Sequence, residues 1–311
     1  MLLAVIPPAQ ATPGPQSAGK SPRRFVLRSA PPTASQQADF AFEDLDDKSL
    51  KLSYRGKPVM VYNHGLITNP RVPASDHRRS RACYVHPLWG LQGEELTDDF
   101  PPDHYHHHGI FWTWPHVGID GKQHDLWAGN TIFQRLVKWL DRQTGSTAAV
   151  LGVENGWFVG DRQVVREEVE IVVHRTSGHT RALEFGLAFE AVGEPVEIGG
   201  EQLDRKGYGG FSVRFAPRTG TRIVTEAGAE TRDTDMARHR WAQLEALYEG
   251  RPATLRIEID PENPGFPNGW CLRHYGFLGV NYPGLETYTL VPGKPLRLRY
   301  RVTVSAGMPS N

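Results

Sequence analysis

Alternation of apolar and polar residues is the feature of this sequence that most restricts its fold. It is clearest near the end of the chain, where Leu296, Leu298 and Tyr300 alternate with arginines. The same period of two recurs in four earlier segments, at residues 50–54, 168–173, 183–190 and 255–260. A strand with one packed face and one wet face gives this pattern, so the sequence predicts antiparallel sheets.

Turn signals separate these segments and complete the prediction of an all-β fold. Gly-containing turns are predicted at Arg55-Gly56-Lys57, Asp120-Gly121, Thr144-Gly145 and Ser177-Gly178. We therefore predict a single large antiparallel β-sandwich over residues 38–311, with few short helices. One helical stretch is predicted from Asp235 to Tyr248, because Met236, Trp241, Leu244 and Leu247 fall roughly on one helical face.

The first 37 residues are predicted to form a disordered leader or the remnant of a signal peptide. A short apolar run, Met1 to Ile6, precedes a small-x-small site at Ala9 and Ala11. The charged region of a signal is missing, which a truncated start would explain. We expect an exported protein, periplasmic or secreted, and otherwise a cytoplasmic one. No later run reaches the roughly 20 apolar residues of a membrane-spanning helix.

Charge and cysteine content exclude several classes of function. Thirty-five Lys and Arg residues balance 35 Asp and Glu residues, so no basic surface for a nucleic-acid partner is expected. Cys83 and Cys271 are the only cysteines, which excludes a cysteine-based zinc site. Whether these two cysteines pair or remain buried free thiols is left open by the sequence.

Titratable side chains are densest between Thr97 and Trp114. These 18 residues hold three aspartates, four histidines and two tryptophans. If residues 103–109 are extended, His104, His106 and His108 share one face of a strand, and Tyr105 and His107 share the other. Imidazoles two residues apart can clamp a divalent metal with a carboxylate, so His104 and His106 are candidate metal ligands. The same groups can instead perform metal-free acid–base chemistry, with a carboxylate orienting an imidazole.

Aromatic residues and a second polar segment extend the predicted site. Flat sugar faces stack on indole rings, and Arg, His and Asn bind hydroxyls. A Pro- and Gly-rich loop at residues 263–270 leads into a strand and is expected to lie beside the histidines. A weaker candidate is the segment 207–214. The candidate catalytic residues are Asp99, Asp103, His104, His106 and His107. The candidate substrate-binding residues are His86, Trp112, Trp127, Arg273, His274 and Asn281.

The central motif resembles the bacterial family of domains of unknown function that is labelled PmoA. The resemblance rests on Asp103-His104-x-His106-His107-x-Gly109, on the run from Arg78 to Leu88, on Asp125-x-Trp127, and on Arg273-x-Tyr275-Gly276. Here Tyr105 replaces the usual proline and His108 the usual arginine. The label is borrowed from a membrane subunit of methane oxidation, which this chain does not match in hydropathy. The resemblance implies a supersandwich similar to galactose mutarotases.

Three classes of function fit these residues. The first is an enzyme, namely an epimerase, lyase or hydrolase, that performs acid–base chemistry on a small-molecule carbohydrate. The second is a non-catalytic carbohydrate-binding module. The third is a metal-dependent oxygenase on a β scaffold, in which a divalent metal is the cofactor. A binding module has no use for clustered titratable groups, which favours the enzyme.

Overall fold

The computed structural model describes residues 39–307, and strands dominate this part of the chain. Its helical segments are two 3₁₀ turns, His77–Arg79 and Leu203–Arg205. The strands, in chain order, are β1 Phe40–Asp44, β2 Ser49–Tyr54, β3 Lys57–Asn63, β4 Ile67–Thr68, β5 Ser80–Arg81, β6 Tyr84–Leu88, β7 Ile110–Thr113, β8 His116–Ile119, β9 Lys122–His124, β10 Phe133–Thr144, β11 Ala148–Val159, β12 Arg162–His174, β13 Thr180–Ala191, β14 Val196–Gly199, β15 Gly210–Arg214, β16 Thr219–Thr225, β17 Gly228–Glu230, β18 Thr234–Arg238, β19 Trp241–Tyr248, β20 Arg251–Ile259, β21 Gly269–Arg273, β22 Phe277–Asn281, β23 Thr287–Leu290 and β24 Leu296–Ala306.

Two nine-stranded antiparallel sheets form the sandwich and confirm the predicted all-β fold. The front sheet has the order β1-β2-β3-β6-β7-β15-β22-β21-β18. The back sheet has the order β10-β11-β12-β13-β24-β20-β19-β16-β17. A four-stranded sheet, β23-β14-β8-β9, and the pair β4-β5 complete the architecture.

The main hydrophobic core lies between the two large sheets. The ring of Phe211 in the front sheet stacks on Tyr300 in the back sheet, with 4.5 Å between centroids. Trp112 faces Phe185 across the same interface at 6.3 Å. All four rings are at most 2% exposed. Burial of this apolar surface is the main favourable term that holds the sheets together.

The period-two segments form strands in the predicted places. They correspond to β2, β12, β13, β20 and β24, whose apolar positions are buried in the core. The four predicted turns connect neighbouring strands. At two of them a non-glycine residue with positive φ precedes the glycine, Arg55 at 50° and Asp120 at 51°. Such pairs of left-handed residues give the tight turns that match the twist of a hairpin.

The predicted helix from Asp235 to Tyr248 is wrong. This segment forms β18 and β19, and β19 pairs with β16 on one side and β20 on the other. Ala242, Leu244 and Ala246 are fully buried with a period of two. Small alanines carry a weak apolar signal in the sequence, so the helical spacing of the larger residues misled the prediction. Sheet pairing and burial override local preference.

Three further expectations concern the cysteines, the leader and membrane-spanning helices. Cys83 and Cys271 are buried free thiols, so they do not pair. The predicted leader, residues 1–37, lies outside the described residues, and with it the expectation of export. Between residues 39 and 307, no helix has the length and hydropathy needed to span a membrane.

A buried carboxylate links the two sheets at the centre of the core. Glu167 of β12 is fully buried and accepts hydrogen bonds from the indoles of Trp112, at 2.8 Å, and Trp157, at 2.6 Å. It also accepts hydrogen bonds from the side-chain amides of Asn155 and Gln134, each at 2.8 Å. Each carboxylate oxygen therefore has two N–H donors, which satisfies a group that is costly to bury alone.

We predict that Glu167→Gln lowers the free energy of unfolding by about 3 kcal/mol or more. In either orientation of the glutamine side chain, its NH₂ group faces two of the four N–H donors. Those two buried donors then have no acceptor. Chemical denaturation measures the change. The matched control is Glu168→Gln at the next position, where a loss within about 0.5 kcal/mol is expected. Equal losses in the two variants would show that the Glu167 network contributes no special stability.

Candidate functional site

The front sheet buries residues on both of its faces, and the second face supports the candidate site. Along β7, Ile110 and Trp112 point into the main core, whereas Phe111 between them points the opposite way. Phe111 belongs to a smaller buried cluster on the outer face, whose other members are Tyr84, Trp127, Cys271 and Phe277. Loops cover this cluster and bring the histidines of the central motif to it.

The histidine-rich segment is a loop of two successive turns, which corrects the expectation of a strand. The amide of His104 donates to Pro101 O, and the amide of His107 donates to His104 O, both at 2.9 Å. The amide of Phe100 donates to His107 O at 3.1 Å and closes the loop. The sequence Pro101-Pro102-Asp103 has the residues that favour turns. Alternation between two faces therefore does not apply to these histidines.

The turns stack His104 and His107 instead of separating them. Their rings are parallel, with an interplanar angle of 1° and 4.5 Å between centroids. Phe277 continues the stack beyond His107 at 4.8 Å, and Tyr275 continues it beyond His104 at 5.1 Å. His106 stands edge-on to both imidazoles. The three candidate catalytic histidines are thus adjacent; His107 is buried, whereas His104 and His106 are partly exposed.

Behind the stack, Asp99 anchors the loop to the front sheet. Its carboxylate lies 2.6 Å from His108 Nδ1 and accepts a hydrogen bond from the Tyr84 hydroxyl at 2.8 Å. His108 is 2% exposed, and its ring contacts those of Tyr84 and Phe100. Burial raises the pKa of Asp99 to about 6 and lowers the pKa of His108 well below its usual value. The Tyr84–Asp99–His108 group therefore fixes the position of the loop.

Asp103, the other candidate catalytic carboxylate, is on the far side of the stack. It accepts two hydrogen bonds from Nη2 of Arg214, at 2.8 and 2.9 Å, and lies 3.0 Å from His104 Nδ1. The guanidinium of Arg214 lies over the ring of Tyr275 at 4.8 Å. Asp103 therefore forms an ion pair with Arg214 beside the stack and lies next to His104.

A concave cavity of about 620 Å³ opens next to His106. Five separate loops form its walls. The residues that line it are Pro73, Ser75, Asp76, His77, Arg78, His106, Pro115, His116, Asp125, Trp127, Ala128, Glu201 and Tyr208. Its volume lies in the range of small-molecule sites, and its lining combines aromatic rings, prolines and titratable groups. We call it the His106 cavity.

Two carboxyl groups of the His106 cavity differ in acidity because their surroundings differ. Burial raises the pKa of Asp125, whose carboxylate accepts a hydrogen bond from the Ala128 amide at 2.8 Å. Burial also acts to raise the pKa of Glu201, but hydrogen bonds from the Leu203 amide and the Tyr208 hydroxyl outweigh it and lower that pKa. The same cavity therefore holds one carboxyl group, Asp125, that is protonated more readily than usual and one, Glu201, that is ionised more readily than usual.

The imidazole and the indole of the cavity have distinct properties. Burial is the main cause that lowers the pKa of His106 to about 3. His106 is therefore neutral near neutral pH, which suits the accepting of a proton better than its donation. Trp127 is 4% exposed, and its Nε1–H has no hydrogen-bond partner among the described residues. A buried donor without a partner is rare and calls for a functional explanation.

Two of the candidate binding residues on β6 and β7 are not at the cavity. Trp112 is fully buried in the main core, where its indole donates to Glu167, so no face of it can stack on a sugar. His86 lies on the outer face of β6, with Nδ1 3.1 Å from the Thr97 hydroxyl, and burial lowers its pKa. It does not line the cavity.

The segment after the Pro- and Gly-rich loop lies beside the histidines, as expected. The residue that makes the contact is Tyr275, not Arg273 or His274. Arg273 donates to Thr234 O at 2.7 Å and forms an ion pair with Asp235. His274 lies 2.8 Å from Asp233 through Nδ1. These contacts tie both residues to the β17–β18 region. Asn281 is 3% exposed beneath the loop that carries Lys206. None of the three lines the cavity, whereas Tyr275 contacts His104.

The predicted metal site at His104 and His106 lacks a third ligand. Within residues 39–307, no three His, Cys, Asp or Glu side chains are grouped so that they could hold a metal ion. His104 is stacked on His107, and its Nδ1 faces Asp103. Metal dependence stays a prediction of the sequence.

Several residues of the cavity were not singled out from the sequence. Asp125 and Tyr208 had a signal, since one belongs to the Asp125-x-Trp127 motif and the other to the glycine-rich segment at 207–214. His116 and Glu201 had none, because they belong to segments without a motif, the start of β8 and the loop after β14, and meet only in the folded chain, at 3.7 Å. Of the residues that were singled out, His106 and Trp127 line the cavity together.

Comparison with known families identifies one family to which the sequence belongs. The model of a family of unknown function, DUF6807, matches residues 49–311. The chain belongs to this family. The match covers the central motif and the whole front sheet after β1. No curated protein matches the sequence. The family model carries no methane-oxygenase name, so the PmoA label stays a resemblance only.

Solved structures with a similar arrangement of sheets share little sequence. A heparinase III is 11% identical with a TM-score of 0.37, over 86% of this chain and 36% of its own. A heparan sulfate lyase HepC mutant from Pedobacter heparinus is 12% identical with a TM-score of 0.38, over 91% and 38%. A mutarotase candidate, YeaD from Salmonella typhimurium, is 11% identical with a TM-score of 0.36, over 88% and 97%. The chain spans little more than a third of the first two proteins. At these TM-scores, the activities named for those proteins carry no argument about this chain.

We predict that His107 makes stability depend on pH. Burial lowers the pKa of His107 well below its usual value, so the folded chain holds this imidazole neutral. In the unfolded chain this imidazole takes up a proton below about pH 6.5. The free energy of unfolding therefore falls by about 1.4 kcal/mol for each further unit by which the pH decreases. His107→Phe keeps the stack on Phe277 but cannot take up the proton.

Thermal or urea unfolding of wild type and His107→Phe between pH 7.5 and 5.5 measures this effect. The difference in stability should shift in favour of the variant as the pH falls below about 6.5. The comparison cancels the opposite effect of Asp99, whose raised pKa favours the folded state at low pH. His179→Phe, at an exposed position, is the control and should follow the wild-type curve. A constant difference between wild type and His107→Phe would contradict the buried neutral imidazole.

Proposed function

We propose that this protein is a carbohydrate-active enzyme that performs acid–base chemistry in the His106 cavity. The observation that carries the proposal is the pair of carboxyl groups, Asp125 and Glu201, whose surroundings move their pKa values in opposite directions. Titratable pairs separated in this way are typical of sites that need an acid and a base at one pH.

Asp125 and Glu201 would take complementary parts in cleavage of a glycosidic bond. Asp125, with its raised pKa, would protonate the leaving oxygen as the bond from the anomeric carbon to that oxygen breaks. Glu201 would accept a proton from the attacking water, whose oxygen forms the new bond to the anomeric carbon. We place hydrolysis first because it requires these two carboxyl groups. Lyase or epimerase chemistry would instead use the neutral imidazole of His106 as the proton acceptor.

The remaining walls of the cavity fit a sugar ring. Tyr208 and Trp127 both line the cavity, with 4.9 Å between their ring centroids. Pro115 and Ala128 add apolar surface. A sugar offers apolar C–H faces that pack on aromatic rings, together with hydroxyls that bond to polar side chains.

Asp103, His104 and His107 have supporting places in this proposal. His104 and His107 hold His106 edge-on through the stack, and the Asp99–His108 contact fixes the loop that carries it. They are positioning residues, since none of them lines the cavity.

We predict that Asp125→Asn lowers turnover of the sugar substrate by about 10²–10⁴-fold, the usual contribution of a general acid. A panel of neutral and charged oligosaccharides is incubated with the protein, and products are followed by reducing-end release and proton NMR. Activity in the wild type should fall at high pH as Asp125 loses its proton, and the variant should lack that limb of the pH profile.

Asp120→Asn is the matched control, because Asp120 is an exposed carboxylate in the nearby β8–β9 turn and pairs with Arg162 outside the cavity. It should retain wild-type turnover. Equal activity of Asp125→Asn and Asp120→Asn would refute the assignment of the acid. Binding of a sugar without turnover of any of them would instead favour the non-catalytic binding module, for which the unpaired Trp127 N–H is the supporting observation.

For that second function, Trp127→Phe is the discriminating variant. It removes the indole N–H but keeps an aromatic ring among Phe111, Tyr208 and Phe277. Trp127→Ala would leave a hole in this buried cluster, and its loss of stability of about 3–5 kcal/mol would obscure any effect on binding.

A further inference from the structure

Acidic side chains outnumber Lys and Arg among the residues that line the His106 cavity. The three acidic residues are Asp76, Asp125 and Glu201, and Arg78 is the one Lys or Arg among the described residues that line it. Like charges at short range repel more strongly in a partly buried cavity than in water. The sign of the lining therefore restricts which ligands can enter.

Arg78 is already committed to its neighbour Asp76. Its Nε and Nη2 donate to the two oxygens of Asp76 at 2.9 and 2.6 Å, and its amide donates to Oδ1 at 2.9 Å. The guanidinium also lies over the ring of Tyr105 at 5.5 Å. The bidentate geometry that Arg would need for a carboxylate or sulfate ligand is used within the protein.

Two other cations near the cavity are also occupied by protein groups, and His116, which lines the cavity, lies 3.7 Å from the carboxylate of Glu201. Arg81 is buried behind the wall, where it donates to Leu126 O at 2.7 Å and to Gln134 at 2.8 Å. Lys206 forms an ion pair with Asp204 at 3.3 Å. The imidazole of His106, which does face the cavity, is neutral near neutral pH.

We propose that the His106 cavity takes sugar units without carboxylate or sulfate groups, and that it binds neutral sugars and amino sugars. The proposal rests on the cavity being the sugar site, as argued above. An anionic sugar would place its charge near the carboxylate of Glu201, and the guanidinium of Arg78 is not free to meet it. A neutral sugar has no charge to oppose that carboxylate, and the ammonium group of an amino sugar meets it favourably.

Binding of the purified protein to matched oligosaccharides tests this charge selection. The probes are an array of neutral, amino, uronic and sulfated glycans, followed by calorimetry on pairs that differ only in the charged group. Neutral or amino glycans should bind at least tenfold more tightly than their uronic or sulfated counterparts, and added salt should narrow the difference. Tighter binding of the uronic or sulfated member of a pair would overturn the proposal.

Asp76→Asn gives a positive test of the reason for the selection. The asparagine side chain can still cap the 3₁₀ turn that begins at His77, but it releases the guanidinium of Arg78 from its carboxylate partner. The variant should bind the uronic member of a pair at least tenfold more tightly than the wild type does, and the ratio of uronic to neutral affinity should rise. Asp120→Asn, which removes an exposed carboxylate that pairs with Arg162 outside the cavity, is the control and should change neither affinity.

The outcomes separate this proposal from the proposed function. Preference for anionic glycans, with turnover lost in Asp125→Asn, would refute charge selection and leave the acid–base site in place. Unchanged uronate affinity in Asp76→Asn would also refute the role given to Arg78. If no glycan of any class binds and none is turned over, both the proposed function and the charge selection fail.

Discussion

The buried carboxylate of Glu167 is the interaction on which both the sandwich and the cavity depend. It joins Trp112 of the front sheet to β10, β11 and β12 of the back sheet through four N–H donors. One of these donors, Gln134, accepts in turn from Arg81, and Arg81 also donates to the carbonyl of Leu126. Leu126 lies between Asp125 and Trp127. A continuous chain of hydrogen bonds therefore runs from the centre of the core to the wall of the cavity.

The outer face of the front sheet explains why titratable groups can be held in neutral or charged forms that water would not favour. The aromatic cluster around Phe111 excludes water from the histidine loop, so His107 and His108 are neutral and Asp99 is less acidic than usual. Gly109 lets this loop approach the sheet, since a Cβ there would lie 2.1 Å from Val85 O. Close packing of a polar loop on an apolar cluster thus sets the chemistry of the site.

The fold was predictable from the sequence where burial follows a simple period. Strands such as β24 alternate large apolar residues with arginines, so the type of each residue indicates whether it lies on the buried or the exposed face of the sheet. The prediction failed in β19, where alanines supply the buried positions, and in residues 103–109, where turn residues outweigh an apparent alternation. The buried role of Glu167 could not be recognised from the sequence. Glu168 and Glu170 are the same residue type as Glu167 and differ from it only in the face of the sheet on which they lie.

The candidate site was predictable only in part, for a related reason. The histidine motif located the region, and His106 and Trp127 emerged from it. That Asp125, His116 and Glu201 line one cavity could not be deduced, because Glu201 is distant in sequence from the other two. The acidity of Asp125 and Glu201 depends on particular backbone amides, such as those of Ala128 and Leu203, which are in place as donors only in the folded chain.

The construction of the cavity from five loops on a rigid sandwich has an evolutionary consequence. Each wall, such as the 3₁₀ turn at His77–Arg79 or the loop at 201–208, can change in length or composition without disturbing the strands that carry it. Relatives of this chain can therefore diverge in ligand preference by replacing one wall at a time, while the tether from Glu167 through Arg81 keeps the Asp125–Trp127 wall in place. The histidine loop cannot vary as freely, because it packs on the sheet itself.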